Sequence, residues 1–167
     1  SIDLASANWV APAGVGSIIG GALEEQPIIF VTAVSDTSLD MSASFAADTE
    51  CVAFPSADFS ANPDFQIGPQ DVSFEVSGYS IPITGLQIAG GFAAEAQSIN
   101  DLSLAGQIDV RSIADLIGSL LGVTDPDEIC GLLVSFGATC TGCTDGTTYC
   151  LDVDVQDIPN EPSDAPT

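Results

Sequence analysis

Five cysteines carry most of the reactive potential of this sequence, and they are unevenly placed: Cys51 stands alone, while Cys130, Cys140, Cys143 and Cys150 crowd one stretch. Gly137, Gly142 and Gly146 lie among the four and supply turns that bring sulfurs close enough for two local disulfides. The same four thiolates could instead hold zinc, since Cys140 and Cys143 have the two-residue spacing of a metal knuckle, although flanking spacings of nine and six residues are unusual for one. A redox pair at Cys140-Thr141-Gly142-Cys143 would need a strand-to-helix start and a base to lower a thiol pKa, and neither is written there. Unpaired structural thiols are the remaining option. An odd number leaves Cys51 over, for a long-range bridge or an intermolecular one.

Carboxylates are the second reactive set. Asp152 and Asp154 share one strand face beside Asp145 and Asp157, and Asp125, Asp127 and Glu128 crowd a helix start. Either group could hold Ca²⁺ through oxygen ligands, though neither matches an EF-hand loop. The plainer reading is a solvated strand face and an acid cluster facing a helix dipole. Paired carboxylates for glycoside hydrolysis would want an aromatic sugar platform, and one Trp and two Tyr supply it poorly.

What is missing narrows the chemistry further. The chain has 167 residues with 24 Asp+Glu against a single Lys+Arg, which is Arg111, and no His, for a net charge of -23. Ser-His, Cys-His, Ser-Lys and Schiff-base catalysis all need a side chain that this protein lacks, and histidine zinc sites go with them. A basic groove for nucleic acid or a patch for anionic lipid cannot be built. The expectation is a protein that is not an enzyme and that requires no cofactor beyond a possible Ca²⁺.

Hydrophobic residues make up 46% of the chain with mean hydropathy +0.37, yet the longest apolar runs, such as 27–34, fall far short of a membrane helix. Ser1 begins at once in alternating sequence without a basic and apolar leader, the look of a mature chain whose secretion signal is gone. Trypsin-like proteases find one site, which suits an extracellular or cell-surface setting. Salt adaptation is a second explanation of the acidity, and both can hold together.

The elements that must position these residues follow from periodicity. Residues 2–10 alternate toward Pro12, 27–34 reads as a buried strand, and 38–46 as its partner across a Ser35-Asp36-Thr37 turn. Gly14-Val15-Gly16 is no nucleotide loop, because the acidic balance repels phosphate and no βαβ pattern follows; a short helical turn at 22–25 is expected instead. From 48 to 69 the pattern breaks into an ordered excursion. Phe54, Phe59 and Phe65 pin it to the core or, alternatively, present a patch to a partner.

Residues 71–110 describe a curved antiparallel meander interrupted by glycines, with a hairpin at 93–98. Helical spacing then takes over at about 112–121, with Ser112 as cap and Gly122 as stop, and again at about 125–136, with Thr124 or Asp125 as N-cap and Pro126 in the first turn. Ile129, Leu132, Leu133 and Phe136 are the inward residues of the second helix. A Cys-rich loop at 137–150 leads into a strand at 149–158 that closes the sheet, and the acidic Pro/Ser tail 159–167 has nothing to bury.

The fold class expected is α+β and β-rich: one domain over 1–158, a curved antiparallel sheet or partial barrel of about seven or eight strands packed on two C-terminal helices, with a disulfide-stabilised loop. Such a sheet offers edges for augmentation, so the leading functional expectation is a structural subunit of an extracellular filament, surface layer or complex, assembling with itself or with another extracellular protein. The alternative is a binding module for an apolar, lipid-type ligand, enclosed between sheet and helices.

Asp127-Glu128-Ile129-Cys130, the run from Ser135 to Cys140, Cys143, Asp145-Gly146 and Tyr149-Cys150-Leu151 together resemble a C-terminal pattern of secreted or lipoprotein-like proteins of myxobacteria-type bacteria. Trp9-Val10-x-Pro12-x-Gly14-Val15-Gly16 and the segment from Phe54 to Pro63 are similar to patterns of the same group. The resemblance implies secretion and no particular activity. Ser1 offers no lipobox cysteine, which departs from the anchored members.

Overall fold

The computed structural model describes residues 1–14, 16, 26–44, 51–76, 78–94 and 98–162. Among these lie strands β1 (Asn8–Ala11), β2 (Ile28–Val34), β3 (Ser38–Ser44), β4 (Val52–Ala53), β5 (Ala57–Asp58), β6 (Asp64–Val76), β7 (Tyr79–Phe92), β8 (Ile99–Asp109) and β9 (Cys150–Gln156). Two helices, α1 (Ala114–Leu121) and α2 (Pro126–Ser135), come between β8 and β9. The protein is therefore β-rich and antiparallel, and α1 and α2 lie late in the chain, as periodicity required.

The strands divide between two sheets rather than forming one. A five-stranded sheet runs β1-β9-β8-β7-β6, and a smaller one has β3 flanked by β2 on one side and by β4 and β5 on the other. Residues 48–69, expected as an excursion without strands, supply β4, β5 and the start of β6. Pro55 separates β4 from β5, which are two residues each and both extend the small sheet by pairing with β3. Neither sheet closes, so β9 pairs with β8 and β1 without completing a barrel.

In the large sheet, glycines sit where the ladder slips. Register shifts fall between Ile67 and Gln70, between Thr84 and Gln87, and between Ala89 and Gly91, at Gly68, Gly85 and Gly90. Such bulges bend and twist a sheet locally. Gly68 is the most constrained: its φ is +84°, and a Cβ there would collide with the Leu86 carbonyl oxygen on β7.

The two sheets share one core in which Leu39, Met41 and Ala43 of β3 join Ile67, Leu86 and Leu102 of the meander. Phe54, Phe59 and Phe65 are all buried in it, and Phe92 stacks beside two of them, with ring centroids 5.9 Å from Phe59 and 5.2 Å from Phe65. The aromatics pin the excursion inward and present no patch to a partner. β2 departs from expectation in the other direction: Val31 and Val34 are exposed, and among the described residues β2 is an edge strand paired with β3 alone.

The helices pack on a separate small cluster where β8 ends and β9 begins, formed by Val110, Ile129, Leu133, Ala138 and Leu151. Asp125 caps α2 by accepting from the backbone N–H of Asp127 and Glu128 at 3.0 and 3.3 Å, with Pro126 in the first turn. Phe136, expected to face inward, is exposed, since the helix ends at Ser135 and the chain turns at Gly137 with φ +87°. α1 starts one residue after Ile113, which makes no side-chain cap, so Ser112 does not serve as one; Gly122 ends it in the left-handed region as expected.

The tail is partly tied down. Asn160 bridges to Ile2, and its side-chain amide both accepts from the Ile99 N–H and donates to the Ile99 carbonyl, each at 2.7 Å, as a strand backbone would. Asp3 N–H donates to the Pro159 carbonyl at 2.8 Å. The turn expected at 22–25 and tail residues 163–167 lie outside the described residues. No helix among the described residues is long and apolar enough to cross a membrane.

Candidate functional site

The site with the clearest shape is an apolar cavity of about 150 Å³ inside the shared core. Its wall draws on both sheets and on α1: Ile29 from β2 and Ala43 from β3 face Leu86 of β7, Leu104 of β8 and Val153 of β9, and Leu116 of α1 reaches one side. Alternation explains the supply, because Leu151, Val153 and Val155 of β9 turn inward while Asp152 and Gln156 face water. Every lining residue among the described ones is apolar. The one polar atom of Trp9, which also lines the cavity, is spent within the chain: its Nε1 donates to the Leu4 carbonyl at 2.8 Å. A void so lined offers van der Waals contact and no hydrogen-bonding group.

The sequence alternative placed an apolar pocket between sheet and helices; the cavity lies instead chiefly between the two sheets, with Trp9 in its wall. No local pattern fixes where such a void forms, because it arises where side chains from eight elements and the N-terminal segment fail to fill the space between two sheets.

The cysteines resolve into two bridges, Cys130–Cys140 and Cys143–Cys150, with Cα separations of 5.7 and 5.2 Å. This answers the alternatives left open by spacing: the four sulfurs are bonded in pairs, not arranged as a zinc knuckle, and Cys140 and Cys143 belong to different bridges. Cys51 is a free, exposed thiol. The two intramolecular disulfides are compatible with an extracellular or other non-cytoplasmic setting.

The six candidate Ca²⁺ ligands form no common cluster, and five of their carboxylates accept hydrogen bonds from neighbours. Asp125 caps α2; Asp127 accepts from the Tyr149 hydroxyl at 3.0 Å; Glu128 lends its backbone N–H to Asp125. Asp145 accepts from Thr147 N–H and Oγ1 and pairs with Arg111 at 2.7 Å, Asp152 accepts from Gln107 at 2.8 Å, and Asp154 from Gln156 at 3.2 Å. Among the described residues only Asp109, Cys143 and Cys150 converge closely enough to suggest metal ligands, and those two sulfurs are already bonded to each other. The geometry gathers no calcium site from Asp125, Asp127, Glu128, Asp145, Asp152 and Asp154.

Arg111 instead ties the Cys-rich loop to the end of β8. Its guanidinium bonds Asp109 and Asp145 and lies 5.4 Å from the centroid of the Tyr149 ring. Hydrogen bonds from Thr147 and from Arg111 hold the Asp145 carboxyl well below the usual carboxylate range, and the Arg111 hydrogen bond lowers Asp109. Folded-state values below the unfolded ones mean the stabilisation is present above the ordinary carboxylate pKa and disappears as pH falls through the folded values. The Tm gap between the protein and Arg111→Gln is therefore expected to be widest near neutrality and to shrink from about pH 5 downward. A gap that stays constant to pH 2 in thermal scans would refute this role for the ion pairs.

Comparison with family models, with curated proteins and with solved structures finds no match.

Proposed function

We propose that this protein is a non-enzymatic extracellular binding module that takes a small apolar ligand between its two sheets. The wholly apolar cavity carries this reading. An apolar cavity of about 150 Å³ with aliphatic and aromatic walls suits one benzene-sized group or a short alkyl chain. It lies below the roughly 300–1,000 Å³ of drug-sized pockets, which confines the ligand to a ring, a short hydrocarbon or the end of a longer chain. The absence of His and Lys fits binding better than catalysis, and the two disulfides and the resemblance to secreted proteins fit the compartment.

Trp9 is the sole tryptophan and lines the cavity, so its emission reports on the site directly. Toluene is expected to change that emission saturably and to raise Tm. Ala43→Leu, which extends a buried lining side chain into the void, should remove both effects while the far-UV circular dichroism stays native. Val153→Leu approaches from the opposite sheet and guards against misfolding of the first variant. A folded protein with no saturable response to toluene would sink the reading.

Assembly is the second reading, favoured by the edge strand β2 with Val31 and Val34 exposed at 41% and 63% and by the exposed thiol of Cys51. The charge of -23 opposes it unless salt or divalent ions screen the subunits. Light scattering with and without Ca²⁺, beside non-reducing gels, should then show polymers or a dimer lost in Cys51→Ser. A monomer throughout removes this reading.

A further inference from the structure

We infer that the cavity discriminates by charge, admitting hydrocarbon groups that are neutral or cationic and rejecting anionic ones such as carboxylates; this rests on the cavity being the binding site. The first observation is the wall, whose described residues offer no side-chain donor free to receive a carboxylate, the Trp9 Nε1 being spent on the Leu4 carbonyl. An ionised carboxylate drawn into such a space loses its hydration without replacement, a cost far above that of an equally sized neutral group. A ligand could avoid this by leaving its head group at the mouth, as amphipathic side chains do. There the second observation applies: the chain carries 24 Asp+Glu and a single Lys+Arg, so the head group meets a negative surface. The lone basic side chain cannot compensate, because Arg111 is already held by Asp109 and Asp145.

A cationic head group has the opposite fate. It pays the same penalty inside, yet outside the wall it is attracted by the net charge of -23, an attraction that physiological salt screens beyond about 8 Å. The occupant is thus distinguished from a fatty-acid-type ligand, whose carboxylate would find no free basic side chain on this protein. It is an uncharged ring or alkyl group, or an amine that carries one.

The test uses Trp9 emission and ligand-detected NMR on the intact protein with three probes that share a ring: toluene, benzylammonium and benzoate at pH 7. Toluene should saturate the site, and benzoate should bind at least roughly tenfold more weakly. Benzylammonium should bind more tightly than benzoate in low salt, and 1 M NaCl should narrow the difference between the two ions because it screens the surface contribution. Benzoate within about twofold of toluene and benzylammonium would overturn the charge selection while leaving the cavity as a binding site. Silence from toluene as well would overturn the cavity reading itself and this inference with it. Ala43→Leu must abolish all three responses, and a response that survives it assigns the probe to another surface and counts against the inference.

Discussion

Leu86→Ala is expected to lower the unfolding free energy by about 3–5 kcal/mol, near the upper end for a leucine truncation. Leu86 is 1% exposed, sits on β7 opposite Gln70 of β6, and lines the cavity. Truncation removes apolar contact and leaves a hole that neighbours must collapse into. Here the new hole merges with existing empty space, and the Leu86 backbone is fixed from two sides by the close approaches of Gly68 and Gly106. Relaxation is therefore small and the cavity penalty nearly complete. Urea unfolding, with an unchanged m value as the check on two-state behaviour, measures the loss. The enlarged cavity should also accept larger rings, so that a saturating alkylbenzene restores part of the stability through binding to the native state. A loss under about 1.5 kcal/mol would mean that the core closes over the site.

Removal of both disulfides is the second large effect. The bridges span sequence separations of 10 and 7 residues and follow one another along the chain without nesting. Loop-closure entropy assigns each about 2.5–3 kcal/mol, and independent loops add to roughly 5 kcal/mol. That approaches the whole stability of many domains of this size. The loss concentrates in the cluster of Val110, Ile129, Leu133, Ala138 and Leu151, whose five buried side chains are few for holding a helix and an irregular loop. Paired alanine variants at Cys130 with Cys140 and at Cys143 with Cys150 should each lower the urea midpoint. In the reduced wild type, amide exchange should accelerate over α2 and the Cys-rich loop well before it does over β6, β7 and β8. Uniform acceleration across both clusters would show that the small cluster and the main core unfold as one unit.

Much of this architecture is local and therefore legible in the chain. Alternation at Val72, Phe74, Ile81, Ile83, Leu151 and Val153 selects strands with one apolar face, glycines mark where those strands bend, and the Asp125-Pro126 pair starts α2 within a residue of its expected position. Composition alone confines the chemistry, since no arrangement of a chain without His or Lys can supply their side chains.

Tertiary structure decided what depends on residues far apart. Spacing could not choose between disulfides and zinc for the four clustered cysteines; the hairpin-like closure of Thr141 on Cys150 and the end of α2 set which sulfurs meet. The candidate metal acids hold no common centre: Asp125, Asp127 and Asp145 each accept from a separate donor. The division into two sheets turned on short pairings of β4 and β5 with β3, which broken periodicity conceals. The cavity lies furthest from the sequence. Each lining residue obeys its local pattern, but empty volume is a property of how two faces fit, and complementarity between side chains such as Ala43 and Leu86, more than forty residues apart, is fixed only when the sheets come together.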